Sequence, residues 1–162
     1  MKRTQNTGWI PLFVALQQFA VSCHPIDLYE KTAVIPGHSW KSSFKPSFTF
    51  TIKDTASPYR LYFIIRHTDR YSFNNIYVAL TAKGPGLDSA QVVPYDIRLA
   101  TNESGWLGSG MDDIYEHRFL LTPAGQEFFF KKPGEYSFTI EQIMREDPLN
   151  HVLNTGLRIE KK

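Results

Sequence analysis

Apolar and polar residues alternate with a period of two in two stretches of the chain. In residues 48–53 phenylalanine and isoleucine alternate with threonine and lysine, and residues 136–142 repeat the pattern with tyrosine, phenylalanine and isoleucine. Successive side chains of a β-strand point to opposite faces, so this pattern predicts strands with one buried face and one face in water.

A longer apolar stretch, Tyr59–Leu80, consists of two runs rich in β-branched and aromatic residues, joined by a polar connection. The connection contains Asp and Asn, which favour turns, so the stretch predicts a β-hairpin. Its first run is apolar on both faces, with Phe63 and Ile65 on one face and Tyr62 and Ile64 on the other. We therefore expect its first strand to lie centrally in a sheet.

Further strands are predicted at Gln91–Ala100, Ile114–Leu121 and Val152–Glu160. Pro94 has no backbone N–H, which indicates an edge strand or a bulge. Glycine and polar residues dominate 101–113, which we expect to be a loop. About eight short strands without a long helical period predict an all-β fold, an antiparallel β-sandwich of jelly-roll or Ig-like type.

The N-terminus has the pattern of a bacterial lipoprotein signal. Lys2 and Arg3 precede an apolar stretch at Trp9–Phe19, and small residues lead to Cys23, the single cysteine of the chain. This pattern predicts a signal peptide at 1–22 and a lipid on Cys23, followed by a tether at 23–46 and a β-sandwich domain at 47–162. The alternative is an amphipathic N-terminus with an incidental cysteine. The tether is read either without secondary structure or with one strand around Asp27–Lys31.

The charge balance argues against nucleic acid as a partner. The chain has 18 basic and 16 acidic residues, and Lys2 and Arg3 are the charged residues before Cys23. Removing the signal leaves 16 of each, so the mature domain has no basic excess for binding nucleic acid.

No familiar signature of catalysis occurs in the sequence. Asp112, Asp113, Glu116 and His117 carry oxygen and imidazole donors, but their spacing matches neither a calcium loop nor a zinc site. The glycine-rich GWLGSG at 105–110 is neither a nucleophile elbow nor a dinucleotide-binding motif. We therefore expect no metal, no cofactor and no enzymatic activity.

The candidate partner or ligand loop contains Trp106, Asp112, Asp113 and Tyr115. An indole in a glycine-rich loop at the end of a sandwich is well placed to contact a ligand. The alternative is that Trp106 folds back and closes the end of the sandwich, as Trp40 would do at the other end.

Several segments together resemble the GldH family of gliding motility lipoproteins. They are PYRLYFIIRHTDRYSFNNIYV, GWLGSG followed by IYE, GEYSFTIEQIMREDPL and TGLRIEK, and all are C-terminal to Cys23. The resemblance covers nearly the whole chain after Cys23. It implies a lipoprotein of Bacteroidota with lipid on Cys23, associated with the machinery for movement over surfaces, and it offers no catalytic residues.

These observations favour a noncatalytic accessory protein that binds other motility or secretion proteins of the envelope. Its lipid would hold it to the membrane, and we expect the outer membrane, with the domain facing the periplasm. A second hypothesis is a module that binds cell-envelope glycans through Trp106 and Tyr115. A third, an enzyme such as a glycosidase, would need Glu103 and Asp113 to flank one cleft.

Overall fold

The computed structural model describes residues 28–162, and this part of the chain is all-β. The predicted signal peptide at 1–22 and the predicted lipid attachment at Cys23 lie outside the described residues. Within the described range the single helical element is a 3-10 turn at Pro36–His38, far shorter than a membrane span.

Thirteen strands are present in this range, and every paired strand is antiparallel to its neighbour. They are β1 Leu28–Val34, β2 Ser39–Trp40, β3 Ser47–Ile52, β4 Tyr59–Thr68, β5 Asn75–Lys83, β6 Gln91–Arg98, β7 Ala100–Thr101, β8 Gly105–Trp106, β9 Ser109–Met111, β10 Ile114–Leu120, β11 Gly134–Gln142, β12 Leu149–Asn150 and β13 Val152–Lys161.

Two main sheets contain most of these strands. One has five strands in the order β1-β13-β4-β10-β9, and the other has four in the order β3-β11-β5-β6. β12 pairs with β2, and β7 pairs with β8. Non-sequential neighbours such as β13 and β4 mean that most of the pairing joins distant parts of the chain.

Side chains from both sheets meet in one hydrophobic core. Phe50 of the four-stranded sheet has its ring centroid 5.3 Å from that of Tyr29 in β1 and 5.3 Å from that of Phe138 in β11. Trp40 is fully buried in this core, and its indole N–H donates to the Phe44 carbonyl at 2.9 Å. The alternating residues of β3 and β11 supply the buried face that their pattern predicts.

β4 lies centrally in the five-stranded sheet, which confirms the prediction from its two apolar faces. On its outer face Ile64 is only 1% exposed, while Arg60 and Arg66 are exposed. Ion pairs extend over this face: Glu30 contacts both Arg118, at 3.3 Å, and Arg158, at 2.6 Å. The aliphatic stems of such arginines cover apolar surface while their charged groups stay in water.

The predicted hairpin over Tyr59–Leu80 is wrong, because β4 and β5 lie in different sheets. Residues 69–74 connect the two strands across the end of the core. Tyr71 of this connection is buried, and its hydroxyl donates to the Asn75 carbonyl at 3.0 Å. Local sequence cannot separate this connection from a hairpin, since both join two apolar strands through polar residues.

Of two other sequence predictions, one is partly wrong and one is confirmed. The loop predicted at 101–113 is wrong in part, since it contains the short strand β8 and also β9, which extends the five-stranded sheet. β6 is an edge strand that pairs with β5 from Gln91 to Arg98 without a register shift, so the edge alternative for Pro94 is confirmed.

The range 23–46, predicted as a tether, contains β1 and β2. β1 pairs along its whole length with β13, so residues from Leu28 onward belong to the folded domain. This strand forms the sheet edge and buries only Tyr29 on its inner side, so its sequence carries little alternation.

Candidate functional site at the far end of the five-stranded sheet

The five-stranded sheet has two distinct ends. Leu28, Glu160 and Arg60 lie in one row across β1, β13 and β4, and we call this the near end because it is closest in sequence to Cys23. The opposite end, where β4 finishes at Thr68 beside Ile114, is the far end. Ten residues of β4 separate the two ends by about 30 Å.

An aromatic cluster occupies the far end, centred on the fully buried His67. The ring centroid of His67 lies 4.4 Å from Trp106, 4.9 Å from His117, 5.1 Å from Tyr71 and 5.9 Å from Tyr115. We call these five residues the His67 cluster. They come from β4, the 69–74 connection, β8 and β10, so the cluster packs these four segments together at the far end.

The two histidines of the cluster share a hydrogen bond, with 2.9 Å between their Nε2 atoms. Nδ1 of His67 lies 2.8 Å from the Thr68 carbonyl. A carbonyl can only accept, so His67 Nδ1 carries a proton, and in the neutral His67 ring Nε2 accepts from His117 Nε2. Only one proton fits between the two Nε2 atoms, so the geometry excludes a state in which both rings are charged.

Burial keeps these rings neutral. Desolvation lowers the pKa of His67, although the hydrogen bond to Thr68 acts in the opposite direction. Desolvation, with a smaller contribution from repulsion between protonated His67 and protonated His117, lowers the pKa of His117 to about 4. Neither imidazole takes up a proton at neutral pH.

Two glycines of β9 and its approach allow the cluster to pack closely. A Cβ atom on Gly108 would lie 2.5 Å from the Glu116 carbonyl oxygen and 2.8 Å from His117 Nε2. A Cβ atom on Gly110 would lie 2.7 Å from the Tyr115 ring. The rings of β10 thus extend over its neighbour at positions where any side chain would collide with them.

The structure divides the four predicted residues of the candidate loop into two pairs. Trp106 and Tyr115 come together, 5.7 Å apart, and both pack inward in the His67 cluster. Asp112 and Asp113 form the exposed β9–β10 turn, where Asp112 adopts a left-handed conformation with φ 57°. The Asp113 carbonyl accepts from the Asp69 N–H at 2.7 Å, which fixes the turn against the end of β4.

The sequence pattern did not indicate two exposed apolar residues beside this turn, Met111 and Ile114, which we call the far-end patch. Their side chains are 79% and 39% exposed, respectively. Met111 and Ile114 lie opposite each other across β9 and β10, and β9 is the open edge of its sheet. A methionine within a glycine-rich stretch gives no periodic signal, so nothing in the pattern identified it.

Two of the four donors considered for a metal, Glu116 and His117, contact other side chains. Glu116 pairs with Arg66 and with Arg118, both at 2.9 Å, while His117 faces His67. Within residues 28–162 no group of three or more His, Cys, Asp or Glu side chains is placed to hold a metal ion.

A polar cleft of about 420 Å³ lies beside the β7–β8 pair. Glu103 lines this cleft, but Asp113 lies at the β9–β10 turn and lines a different depression, so the structure does not bring this carboxylate pair into one cleft. The other side chains of the cleft are mostly amides and charged groups: Asn74, Asn75, Asp96, Arg98, Thr101 and Asn102.

Comparison with known proteins gives a consistent relationship. The family model described as GldH lipoprotein matches residues 27–159. The gliding motility lipoprotein GldH of Flavobacterium johnsoniae is 26% identical over an alignment of 168 residues, and the alignment covers 99% of this chain and 99% of that protein. The gliding motility lipoprotein GldH homolog of Christiangramia forsetii is 26% identical over 148 residues, covering 86% of this chain and 87% of that protein.

Proposed function

Because the chain belongs to the GldH lipoprotein family, we propose that it is a noncatalytic, lipid-anchored accessory component of the gliding motility machinery that binds other envelope proteins. Its lipid is attached to Cys23, and we place it at the outer membrane with the domain facing the periplasm. A lipid anchor concentrates the domain near membrane partners, so a modest interface is sufficient.

The observation that carries this proposal is the far-end patch. Met111 is 79% exposed on the open edge strand β9, next to Ile114. An unpaired strand edge with adjacent exposed apolar groups offers a partner both backbone hydrogen bonds and apolar contact. Methionine suits such a surface because its flexible, polarisable side chain adapts to the partner.

The position of the patch also supports a binding role. It lies about 30 Å from the near end, from which the chain leads back to Cys23. The domain would then hold the patch away from the membrane surface. In this proposal the two sheets form an antiparallel sandwich, because Phe50 and Tyr29 pack against each other between them, and this rigid body fixes the distance.

The chemistry of the His67 cluster fits a structural role and not a catalytic one. The two Nε2 atoms are hydrogen-bonded to each other, and burial lowers the pKa of both rings. A general base must reach a substrate proton and titrate near the working pH. We therefore assign the cluster to holding β9 and β10 in position behind the far-end patch.

Replacing Met111 with glutamate tests this function, with Val34→Glu as the matched control. Val34 is 67% exposed and lies at the same end of the sheet, on the opposite edge strand. Tagged lipidated protein is purified from its own cells, and bound envelope proteins are quantified by mass spectrometry. We expect Met111→Glu to lose specific partners that Val34→Glu retains, whereas unchanged recovery with Met111→Glu would refute the assignment.

The polar cleft supports a second candidate function, binding of a cell-envelope glycan. Amide and carboxylate groups such as Asn75, Asp96 and Asn102 can form hydrogen bonds with sugar hydroxyls. Trp106 belongs to β8, which pairs with β7 beside the cleft, so its fluorescence can report on binding. The glycan function predicts that millimolar envelope glycans change this emission in the wild type but not in Asn102→Ala.

A further inference from the structure

A cavity of about 260 Å³ opens near the near end, away from the far-end patch. Both main sheets contribute to it, with Leu61 from β4 and Leu80 and Phe138 from β5 and β11. The aromatic run that ends at Phe130 closes another side. Its lining is mainly aliphatic and aromatic, which is the environment of an apolar ligand.

The exposed polar groups of this cavity, which form its rim, are Lys131 and Gln91. Thr122 adds one buried hydroxyl to the lining, and no carboxylate is among the lining residues. The hydroxyl of Tyr95 donates to the Leu121 carbonyl at 3.5 Å. The interior therefore suits a ligand part that forms no hydrogen bonds, and the rim suits a polar or anionic head group.

We propose that this cavity binds a single fatty acyl chain whose head group lies beside Lys131. An apolar cavity of about 150 Å³ holds one benzene molecule, so this larger cavity accepts about ten carbon atoms of a chain. An extended peptide is a poorer fit, because Pro94 of the adjoining edge strand β6 offers no N–H to a new strand.

The location of the cavity agrees with an acyl ligand. Leu28 and Arg60 lie in one row, two strands and therefore about 10 Å apart across the sheet. Arg60 directly precedes Leu61, which lines the cavity. Covalent geometry keeps Cys23 within about 18 Å of Leu28. The chain can therefore come from the lipid of Cys23 or from a neighbouring membrane lipid. This proposal is independent of the partner-binding function.

The test uses cells fed a palmitic acid that carries a photoreactive diazirine at carbon 10. After illumination, adducts on the protein are mapped by mass spectrometry. We expect adducts on the peptide containing Phe128–Lys131. An adduct that joins this peptide to the lipid of Cys23 assigns the protein's own anchor, and a phospholipid adduct assigns a membrane lipid.

Matched variants separate the cavity from the surrounding surface. Val93 lines the cavity and Val92 does not, although both are exposed on β6. Val93→Trp should reduce the adducts by about tenfold, because the indole fills the mouth, while Val92→Trp keeps them. Ala82→Phe, which fills the cavity from β5, serves as a second blocking variant if Val93→Trp does not fold.

Three further variants test the head-group site and the independence of this proposal. Lys131→Gln should lower the adduct yield, whereas Lys132→Gln, which lies outside the lining, should not. Met111→Glu should leave the adducts unchanged even where it removes protein partners. Adducts that are absent from the cavity peptides, or equally strong in Val93→Trp and Val92→Trp, would overturn the acyl-binding site.

Discussion

At the level of single residues, His67 illustrates how a polar side chain is held in the core. Its sequence neighbours Thr68 and Asp69 favour turns, so the pattern places it in a polar connection. In the structure it is fully buried at the end of β4, because Thr68 and His117 satisfy both ring nitrogens. His117 lies 50 residues away, so no local pattern predicts the pair.

The lowered pKa values predict a specific loss of stability in acid. The unfolded chain protonates His117 near its ordinary pKa of 6.5, whereas the folded protein resists protonation until about pH 4. Since the unfolded state binds more protons in this window, the free energy of unfolding falls as pH drops from about 6.5 to 4, by on the order of 2–3 kcal/mol. Urea unfolding at a series of pH values measures this loss.

A variant and a control make this prediction specific. His117→Gln should flatten the pH dependence between 6.5 and 4, while His38→Asn, at an exposed position, should leave it unchanged. Carboxylates act in a different window. Hydrogen bonds with Lys161 lower the pKa of Asp54, and those with Ser42 lower that of Asp147, so their contribution disappears only below about pH 4. An equal acid response in His117→Gln and wild type would contradict the role of the pair.

At the level of elements, the sequence predicts strands better than it predicts their partners. Alternation located β3 and β11, two apolar faces located the central β4, and Pro94 indicated that β6 is an edge strand or bulged, of which the edge is observed. The partners depend on contacts between distant residues, so the crossing from β4 to β5 was mistaken for a hairpin. β9 was missed because Ser109, Gly110 and Met111 show no apolar alternation, although the Tyr115 ring of β10 requires the glycine.

The close packing of β10 over β9 predicts the effect of a small substitution. Gly108→Ala places a methyl group within 3 Å of the Glu116 carbonyl and the His117 ring. Overpacking of this kind should destabilise the fold by roughly 1–3 kcal/mol. Ser109→Ala, at the exposed neighbouring position, should change stability by less than about 0.5 kcal/mol. Thermal unfolding compares the two, and wild-type stability in Gly108→Ala would rule out this packing.

At the level of the whole molecule, the two ends of the five-stranded sheet have different character. The near end carries the apolar cavity and leads to Cys23, and the far end carries the His67 cluster and the far-end patch. The sequence indicated Trp106 and Tyr115 as neighbours, and their rings do lie together. The sequence could not indicate that the Met111 side chain is exposed, because its exposure depends on the position of β9 as the edge strand of the sheet.

Membrane attachment gives a prediction for the intact protein. Cys23→Ala should accumulate as a longer, unprocessed precursor that takes up no labelled palmitate, because the lipid and the cleavage both require the cysteine thiol. Gel mobility and palmitate labelling measure the two effects. Labelling that persists in Cys23→Ala would show that the lipid is attached elsewhere.

In-cell photocrosslinking from position 111 tests partner binding most directly. A photoreactive amino acid replaces Met111 on the far-end patch, and a second strain carries it at Val34, which is also exposed at the far end but on the opposite edge. Binding through the patch predicts a discrete adduct with a defined envelope protein from position 111, absent from position 34, and recovered again when that protein is tagged. No adduct from position 111 in cells with normal levels of the protein, or the same adducts from both positions, would contradict partner binding at the far end.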